Sequence, residues 1–259
     1  MPDQTDKEAR NAWLRALQRT ATIPQNPTVT LPVVIDRLAE AHPDAPALID
    51  AGETLTYRAL AGRSRGYAGW ATRNGIGKGD VVCLFMRNCA EYMAIWLGVT
   101  RLGGVVALIN TQLSGDALIH AIDIVSPRHV IVGPGLAEAV AAVQPRLRSD
   151  PAIWTECEPA DEIGDIVPPT LGDRALCIYT SGTTGKPKAV IQTPGMAYAN
   201  AINIGQATDL TSEDTTLNYL PLFHTAGINL HTLPVLIFGG SVRVLKKFEK
   251  AEKLSKRAS

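Results

Sequence analysis

The chain has 259 residues, 46% hydrophobic and 19% charged, with 25 basic side chains against 25 acidic ones. That length can bury a sizeable core, and zero formal net charge leaves no electrostatic footprint for nucleic acid or for an anionic membrane. No apolar run approaches the ~20 residues of a membrane span, and the polar start Met1 to Lys7 has no signal-peptide core.

In chain order, apolar spacing predicts amphipathic helices around Ala9 to Leu17 and Leu31 to Ala41, then a hairpin of Ala47 to Asp50 and Thr54 to Thr56 about a Gly52 turn. Helix Tyr57 to Arg73 leads to strand Val81 to Phe85, helix Glu91 to Leu102 to strand Val105 to Ile109, and helix Gly115 to Ile124 to strand His129 to Val132. Gly75 to Asp80 reads as a helix stop and turn, and Gly103-Gly104 as a helix end before a buried strand. Ser149 to Gly172 is acidic and proline-bearing without a sustained period, and reads as a connection between two halves. The second half repeats the theme. Strand Ala175 to Tyr179 is followed by a loop and strand Ala189 to Gln192, helix Gly195 to Gln206, strand Thr216 to Tyr219, helix Ala226 to Ile237 and strand Ser241 to Val244. The expected class is α/β, with mostly parallel sheets flanked by helices and ligands at the carboxyl ends of the strands.

The loop in that second half carries the chemistry. Tyr179-Thr180-Ser181-Gly182-Thr183-Thr184-Gly185-Lys186-Pro187-Lys188 gathers hydroxyls, glycines and two lysines directly after an apolar strand. Glycine lets backbone N–H groups approach phosphate oxygens, Ser and Thr add hydroxyl donors, and lysine opposes the polyanion. A Walker loop needs four residues between its first glycine and its Gly-Lys pair. Here only Thr183 and Thr184 intervene, so the segment is a different phosphate cradle. It resembles, almost residue for residue, the signature of the adenylate-forming superfamily of acyl-CoA synthetases, luciferases and peptide-synthetase adenylation domains. The departure is Ala189, where that family usually has glycine; its methyl group is expected to alter the loop geometry slightly.

Leu220-Pro221-Leu222-Phe223-His224-Thr225-Ala226-Gly227 resembles the next motif of the same family, in which an aromatic-His pair borders the carboxylate substrate and the nucleotide. Amino-acid-activating members usually place an aspartate here for the α-ammonium group. Phe223 and His224 have no neighbouring acid, so the expected substrate is a carboxylic acid without an α-amino group. Leu55 to Leu60, Gly75 to Val82 and Leu102 to Asn110 follow the family's amino-terminal order as structural marks. The likeness covers about Leu31 to Lys247.

The resemblance implies the large amino-terminal domain of acyl-CoA synthetases and a two-step reaction. A fatty or aryl carboxylate attacks the α-phosphorus of ATP, giving an acyl-adenylate and pyrophosphate, and the thiol of coenzyme A then displaces AMP. Thr180, Ser181, Gly182, Thr183, Thr184 and Gly185 would hold the β- and γ-phosphates while Lys188 counters their charge. Thr184 would ligate the Mg²⁺ that accompanies ATP, with Thr183 as the competing choice. His224 would wall the junction of acyl group and nucleotide as a hydrogen-bond donor.

Other patterns have plainer explanations. Gly62-Arg63-Ser64-Arg65-Gly66 fits a serine-hydrolase elbow but lies inside a helical pattern. Gly133-Pro134-Gly135 has Glu138 where a dinucleotide fingerprint wants its third glycine. Cys83, Cys89, Cys157 and Cys177 show no Cys-x-x-Cys pairing, and read as reduced thiols of a cytoplasmic protein.

The expected organisation is an amino-terminal helical extension at 1–30, a partial AMP-binding domain at 31–247 with halves of about 31–148 and 173–247, and a charged tail at 248–259. By the resemblance, an adenine loop with its Mg²⁺-binding glutamate, a ribose-binding aspartate and a mobile carboxyl-terminal domain bearing a lysine would follow, and none is matched here. Two expectations result. Either the chain is a truncated or split ligase with little activity alone, completed by a separately encoded carboxyl-terminal half, or it is a non-catalytic remnant that binds nucleotide or another subunit.

Overall fold

Period-two alternation sends neighbouring side chains to opposite faces of a sheet, and in the computed structural model, which describes residues 4–160, 167–180 and 187–246, that alternation builds two cores. Ten strands are described: β1 (Pro46–Ile49), β2 (Thr54–Thr56), β3 (Val81–Phe85), β4 (Val105–Leu108), β5 (His129–Val132), β6 (Ala152–Trp154), β7 (Leu176–Thr180), β8 (Lys188–Gln192), β9 (Thr215–Asn218) and β10 (Ser241–Val244). They form one sheet in the order β6-β5-β3-β4-β7-β8 and another in the order β2-β1-β10-β9. Among them β1–β2 and β7–β8 run antiparallel and every other pair is parallel. The α/β class read from the sequence is the one that forms.

On the six-stranded sheet, Val82, Leu84, Val106, Leu108, Ile131, Leu176 and Ile178 face one core. Cys83, Phe85, Val105, Ala107, Val130, Val132 and Cys177 face the other. The first core is filled by α2 (Leu31–Ala41), α3 (Tyr57–Arg73) and α4 (Ala90–Arg101) and reaches Leu48, Val242 and Val244 of the smaller sheet. The second packs under α5 (Gly115–Asp123) and α6 (Ala137–Ala141). Helix α4 is apolar all round, Tyr92, Met93, Ile95, Trp96 and Leu97 included, as a helix buried between layers must be. Gly98 lets it approach α3, for a Cβ there would stand 2.5 Å from that of Tyr67 and 2.7 Å from the Ser64 carbonyl.

Local signals set the boundaries. Thr56 caps α3 by accepting from the Ala59 N–H at 3.2 Å, and Thr193 caps α7 (Pro194–Ala207) by accepting from Met196 at 3.1 Å. Gly75 and Gly103 take φ of 70° and 76° after α3 and α4, the left-handed turn that ends a helix. At the amino end α1 (Gln4–Thr20) packs on α7.

Three sequence expectations are corrected. The 149–172 connection contains β6, too short to show a period, which is held to β5 by the parallel ladder and by Trp154. That indole donates to Nδ1 of His129 at 3.0 Å and meets Trp70 edge-on at 5.3 Å. The single helix expected from Ala226 to Ile237 is a π-helix at Ala226–Thr232 running into α8 (Leu233–Ile237). Pro234 has no N–H for the Leu230 carbonyl, and the Gly227 carbonyl is taken by the Thr232 hydroxyl at 2.8 Å and the Asn218 amide at 3.0 Å. The ladder therefore slips one residue, and Leu233 N–H bonds to the Ile228 carbonyl. Ala189 lies in β8 opposite Tyr179, in extended backbone that any residue adopts, so the expected loop distortion has no cause there. The tail at 248–259 lies outside the described residues.

Both sheets draw strands from both segments of the chain: β1 pairs with β10 and so joins β1–β2 to β9–β10, and β7 and β8 extend the sheet begun by β3 and β4.

Candidate functional site

In the six-stranded sheet the chain moves from β3 outward to β4 and then back across to β5, so a topological switch point lies beside β3 and β4. Open α/β sheets bind ligands outside the carboxyl ends at such a point. β7 pairs directly with β4, which places its carboxyl end at this crevice.

Thr180 and Lys188 form the last register pair of β7 and β8, and both are exposed. Antiparallel partners stand about 5 Å apart, so β7 ends and β8 begins at one narrow mouth. Ser181, Gly182, Thr183, Thr184 and Gly185, with Lys186, lie outside the described residues. Lys188 has no carboxylate partner among the described residues, which leaves its charge available to an anion. Helix α5 holds both flanks of the mouth. The Tyr179 hydroxyl donates to the Ala121 carbonyl at 2.6 Å, and Nε2 of His120 stands 3.0 Å from the Pro187 carbonyl. Burial pushes the Tyr179 phenol well up, so it remains a neutral donor.

The second element is the turn carrying His224. Asn88, just beyond β3, donates to the carbonyls of Leu220 at 2.8 Å and Leu245 at 3.1 Å, and accepts from the Leu222 N–H at 2.8 Å. One buried amide thus ties the carboxyl end of the larger sheet to those of β9 and β10. Asn218, fully buried, accepts from Leu220 N–H and donates to the Gly227 carbonyl and the Thr232 hydroxyl. Gly227 admits no side chain, since a Cβ would fall 2.1 Å from the Pro221 carbonyl oxygen. His224 is exposed, and its Nδ1 accepts from the Ala226 N–H at 3.2 Å. With Nδ1 so engaged the proton belongs on Nε2, leaving an outward donor. Among the described residues no carboxylate pairs with His224. The two elements meet through Asn229 of the π-helix, whose amide donates to the Gln192 side chain at the far end of β8.

A family model described as AMP-binding enzyme matches residues 35–258 of this chain, and so takes in both elements. The chain belongs to the AMP-binding enzyme family. Feruloyl-CoA synthase of an Amycolatopsis species is 34% identical over 220 residues, covering 85% of this chain and 44% of the relative. A Rhodopseudomonas palustris structure assigned as a long-chain-fatty-acid CoA ligase is 26% identical with a TM-score of 0.75, covering 88% of this chain and 60% of that one. A long-chain-fatty-acid-CoA ligase of Archaeoglobus fulgidus shares the fold with a TM-score of 0.79 at 23% identity, covering 90% of this chain and 50% of that one. The chain therefore spans less than half the length of the curated relative and about half to three-fifths of these structures.

Within this AMP-binding fold the motif residues are the ones that sequence reasoning found, and the groups that hold them are the ones it missed. Asn88 stands one residue before the N-cap Cys89 of α4, and its side chain is spent on the His224 turn. The N-terminus of α4 instead receives Asp50 from the end of β1, whose Oδ2 accepts from Ala90 N–H at 2.9 Å. Burial works to raise this carboxyl, but the N–H groups of Ala90, Gly52 and Glu53, aided by Lys246, hold it below the ordinary carboxylate range. Asn218 had a signal, since asparagine is depleted in strands and here ends a Thr-Thr-Leu run. His120 had none, as its partner Pro187 is remote in sequence. The serine of the Gly-x-Ser-x-Gly match is fully buried in α3, where its hydroxyl donates to the Ala61 carbonyl and receives Arg101. It is no nucleophile elbow. All four cysteines are unbridged, and burial pushes the Cys157 thiol up to about 12. No helix among the described residues is long and apolar enough to cross a membrane.

Proposed function

We propose that this chain carries the pyrophosphate-gripping and acid-facing part of an ATP-dependent acid–thiol ligase, which activates a fatty or aryl carboxylic acid without an α-amino group. The observation that carries the reading is Lys188, without a carboxylate partner among the described residues, opposite Thr180 at the carboxyl mouth of β7 and β8, inside a chain of the AMP-binding family. In this reading Lys188, Thr180 and the 181–185 segment hold the β- and γ-phosphates. A carboxylate oxygen forms its bond to the α-phosphorus as the bond to pyrophosphate breaks, and a coenzyme A thiol then displaces AMP. Lys188 opposes the charge that accumulates on the departing pyrophosphate, which is stabilisation by a preplaced cation. His224, with Nε2–H outward, donates to the acyl-phosphate junction and moves no proton. Thr184, or Thr183 in its place, is the proposed ligand for Mg²⁺, whose role is to neutralise phosphate charge.

The names of the relatives support an aryl or long-chain acid, and the lack of a carboxylate paired with His224 among the described residues supports an acid without an ammonium group. These 259 residues alone are expected to form little acyl-adenylate, because no segment matches the ribose, adenine and α-phosphate contacts that the resemblance implies; a separate carboxyl-terminal half is the proposed completion.

Calorimetry with Mg·ATP tests the grip. Lys188→Ala removes a charge-assisted bond of about 1.5–3 kcal/mol, so affinity should fall roughly tenfold or more; unchanged affinity sinks the assignment. Hydroxamate trapping with a panel of fatty and aromatic acids tests the chemistry, and robust product from this chain by itself would overturn the expectation of low activity.

A further inference from the structure

Tyr198, Ile202 and Gln206 recur every four residues along α7 and so share one stripe of that helix. The stripe lines an open cleft of about 340 Å³, and Arg37 of α2 lines it too. Arg19 from the last turn of α1, with Thr22, Ile23, Asn26 and Val29 from the segment that follows, completes the lining. That half of the cleft lies before the 35–258 stretch that the family model matches.

Six polar side chains meet the cleft: Arg19, Thr22, Asn26, Arg37, Tyr198 and Gln206. None of the six makes a hydrogen bond or an ion pair with another described residue. No described Asp or Glu lines the cleft. Asp36, beside Arg37 in sequence, is committed to Arg65 and Arg101, and Glu40, one turn further along α2, stands outside the lining. Arg19 gains something from the carbonyl end of α1. Arg37 has no such compensation, since it precedes the last turn of α2. Two like charges therefore share one recess, surrounded by hydroxyl and amide donors, with nothing described to neutralise them.

Guanidinium groups grip phosphate oxygens bidentately, and the hydroxyls and amides add further donors. A carboxylate brings a single charge and would leave one arginine unanswered, whereas a phosphate monoester carries about −1.5 to −2 near neutral pH. Ile23, Val29 and Ile202 are half-buried and add apolar lining that a bare inorganic phosphate would leave unused. The volume also falls within the ~300–1,000 Å³ of small-molecule sites.

We propose that this cleft binds a small organic phosphate monoester, with its dianion between Arg19 and Arg37 and its carbon portion against Ile23, Val29 and Ile202. The site shares no residue with the β7–β8 mouth and needs neither nucleotide nor acid activation.

Calorimetry on the full chain with phenyl phosphate tests it, in a Lys188→Ala background that silences the mouth. Binding should persist in that background and weaken with salt. It should also weaken as pH falls from about 7 to about 5, because the phosphate loses its second charge while both arginines keep theirs. Arg19→Gln and Arg37→Gln should each lower affinity by about tenfold. Arg15→Gln, the same charge change at an exposed α1 residue outside the cleft, should leave it unchanged. Inorganic phosphate should bind several-fold more weakly than phenyl phosphate. No heat with phenyl phosphate, heat that Arg19→Gln/Arg37→Gln leaves intact, or an equal loss in Arg15→Gln overturns the proposal. Binding that disappears with Lys188→Ala belongs to the mouth and overturns it too. Vesicles containing phosphatidic acid present the same group on a lipid; flotation with them, without heat from phenyl phosphate, would overturn a soluble ligand.

Discussion

Removing the Asn88 side chain should loosen the His224 turn before it loosens anything else. Asn88 is 7% exposed and makes three hydrogen bonds, two as donor to the Leu220 and Leu245 carbonyls and one as acceptor from Leu222 N–H. Leu222 is fully buried, so Asn88→Ala leaves its N–H without protein or solvent partner. At about 1 kcal/mol for each lost bond, and more for an orphaned buried donor, the loss comes to roughly 3 kcal/mol. For a chain of this size that lowers the melting temperature by about 6–12 °C. Asn88→Asp separates the two roles. It keeps the acceptor for Leu222 but sets a carboxylate against two carbonyl oxygens, which costs more than the neutral amide did. Protonation restores one donor, so the Asp variant should regain stability on acidification while the Ala variant does not. Differential scanning calorimetry gives the global figure, and hydrogen exchange at Leu222 and His224 gives the local one. A melting shift below about 2 °C with full protection retained at Leu222 would refute the claim that this amide organises the turn.

Four further outcomes follow from the same geometry. Gly227→Ala forces a methyl group within 2.1 Å of the Pro221 carbonyl, and should cost about 3 kcal/mol or more in denaturant melts. Tyr179→Phe deletes the bond to the Ala121 carbonyl, should cost about 1 kcal/mol, and should weaken Mg·ATP binding a few-fold by calorimetry because it frees one flank of the proposed phosphate mouth. His120→Ala should free the other flank with a similar loss of affinity, and a double variant that binds as tightly as the unsubstituted chain would show that the flanks do not act on the ligand. Asp50 is held below its ordinary value of 3.8. Its stabilising effect is therefore full above that value and lost as pH falls through the lower folded one. Acid titration of the melting temperature should show the advantage over Asp50→Asn shrinking below about pH 4.

What could be read from the sequence divides along a physical line. Regular elements were legible wherever one period persisted, as in α3, whose limits Tyr57 and Arg73 follow from its cap and its closing Gly75 turn. Both motif segments stand out in the sequence because they gather particular residue types in a fixed order, and the family match over residues 35–258 takes in both. β6 was not, since three residues carry no period, and its stability comes from Trp154 reaching His129 and Trp70. The π-helix was not, because the hydrogen bonds that shift its register come from Asn218 and Thr232, which compete for a carbonyl only once the fold has formed. The supports of the site belong to this second class. Asn88 meets Leu220 across 132 positions and His120 meets Pro187 across 67, and no local pattern encodes such a pair.

That distance has a consequence for dividing the chain. A fragment beginning at Asp173 would keep both motifs, since Thr180, Lys188 and His224 all lie beyond it. It would lose β4, against which β7 is laddered, and β1, against which β10 is laddered. It would also lose α5, which holds the β7–β8 mouth, and Asn88, which holds the histidine turn. What remained of the larger sheet would be the two-stranded β7–β8 hairpin, a unit at best marginally stable in water. Such a fragment should therefore show neither cooperative melting nor Mg·ATP binding, and mixing it with a chain ending at 172 should restore both if the missing ladders are the cause. A 173–246 fragment that bound nucleotide unaided would mean that the mouth is organised locally, and that the anchors on α5 are incidental.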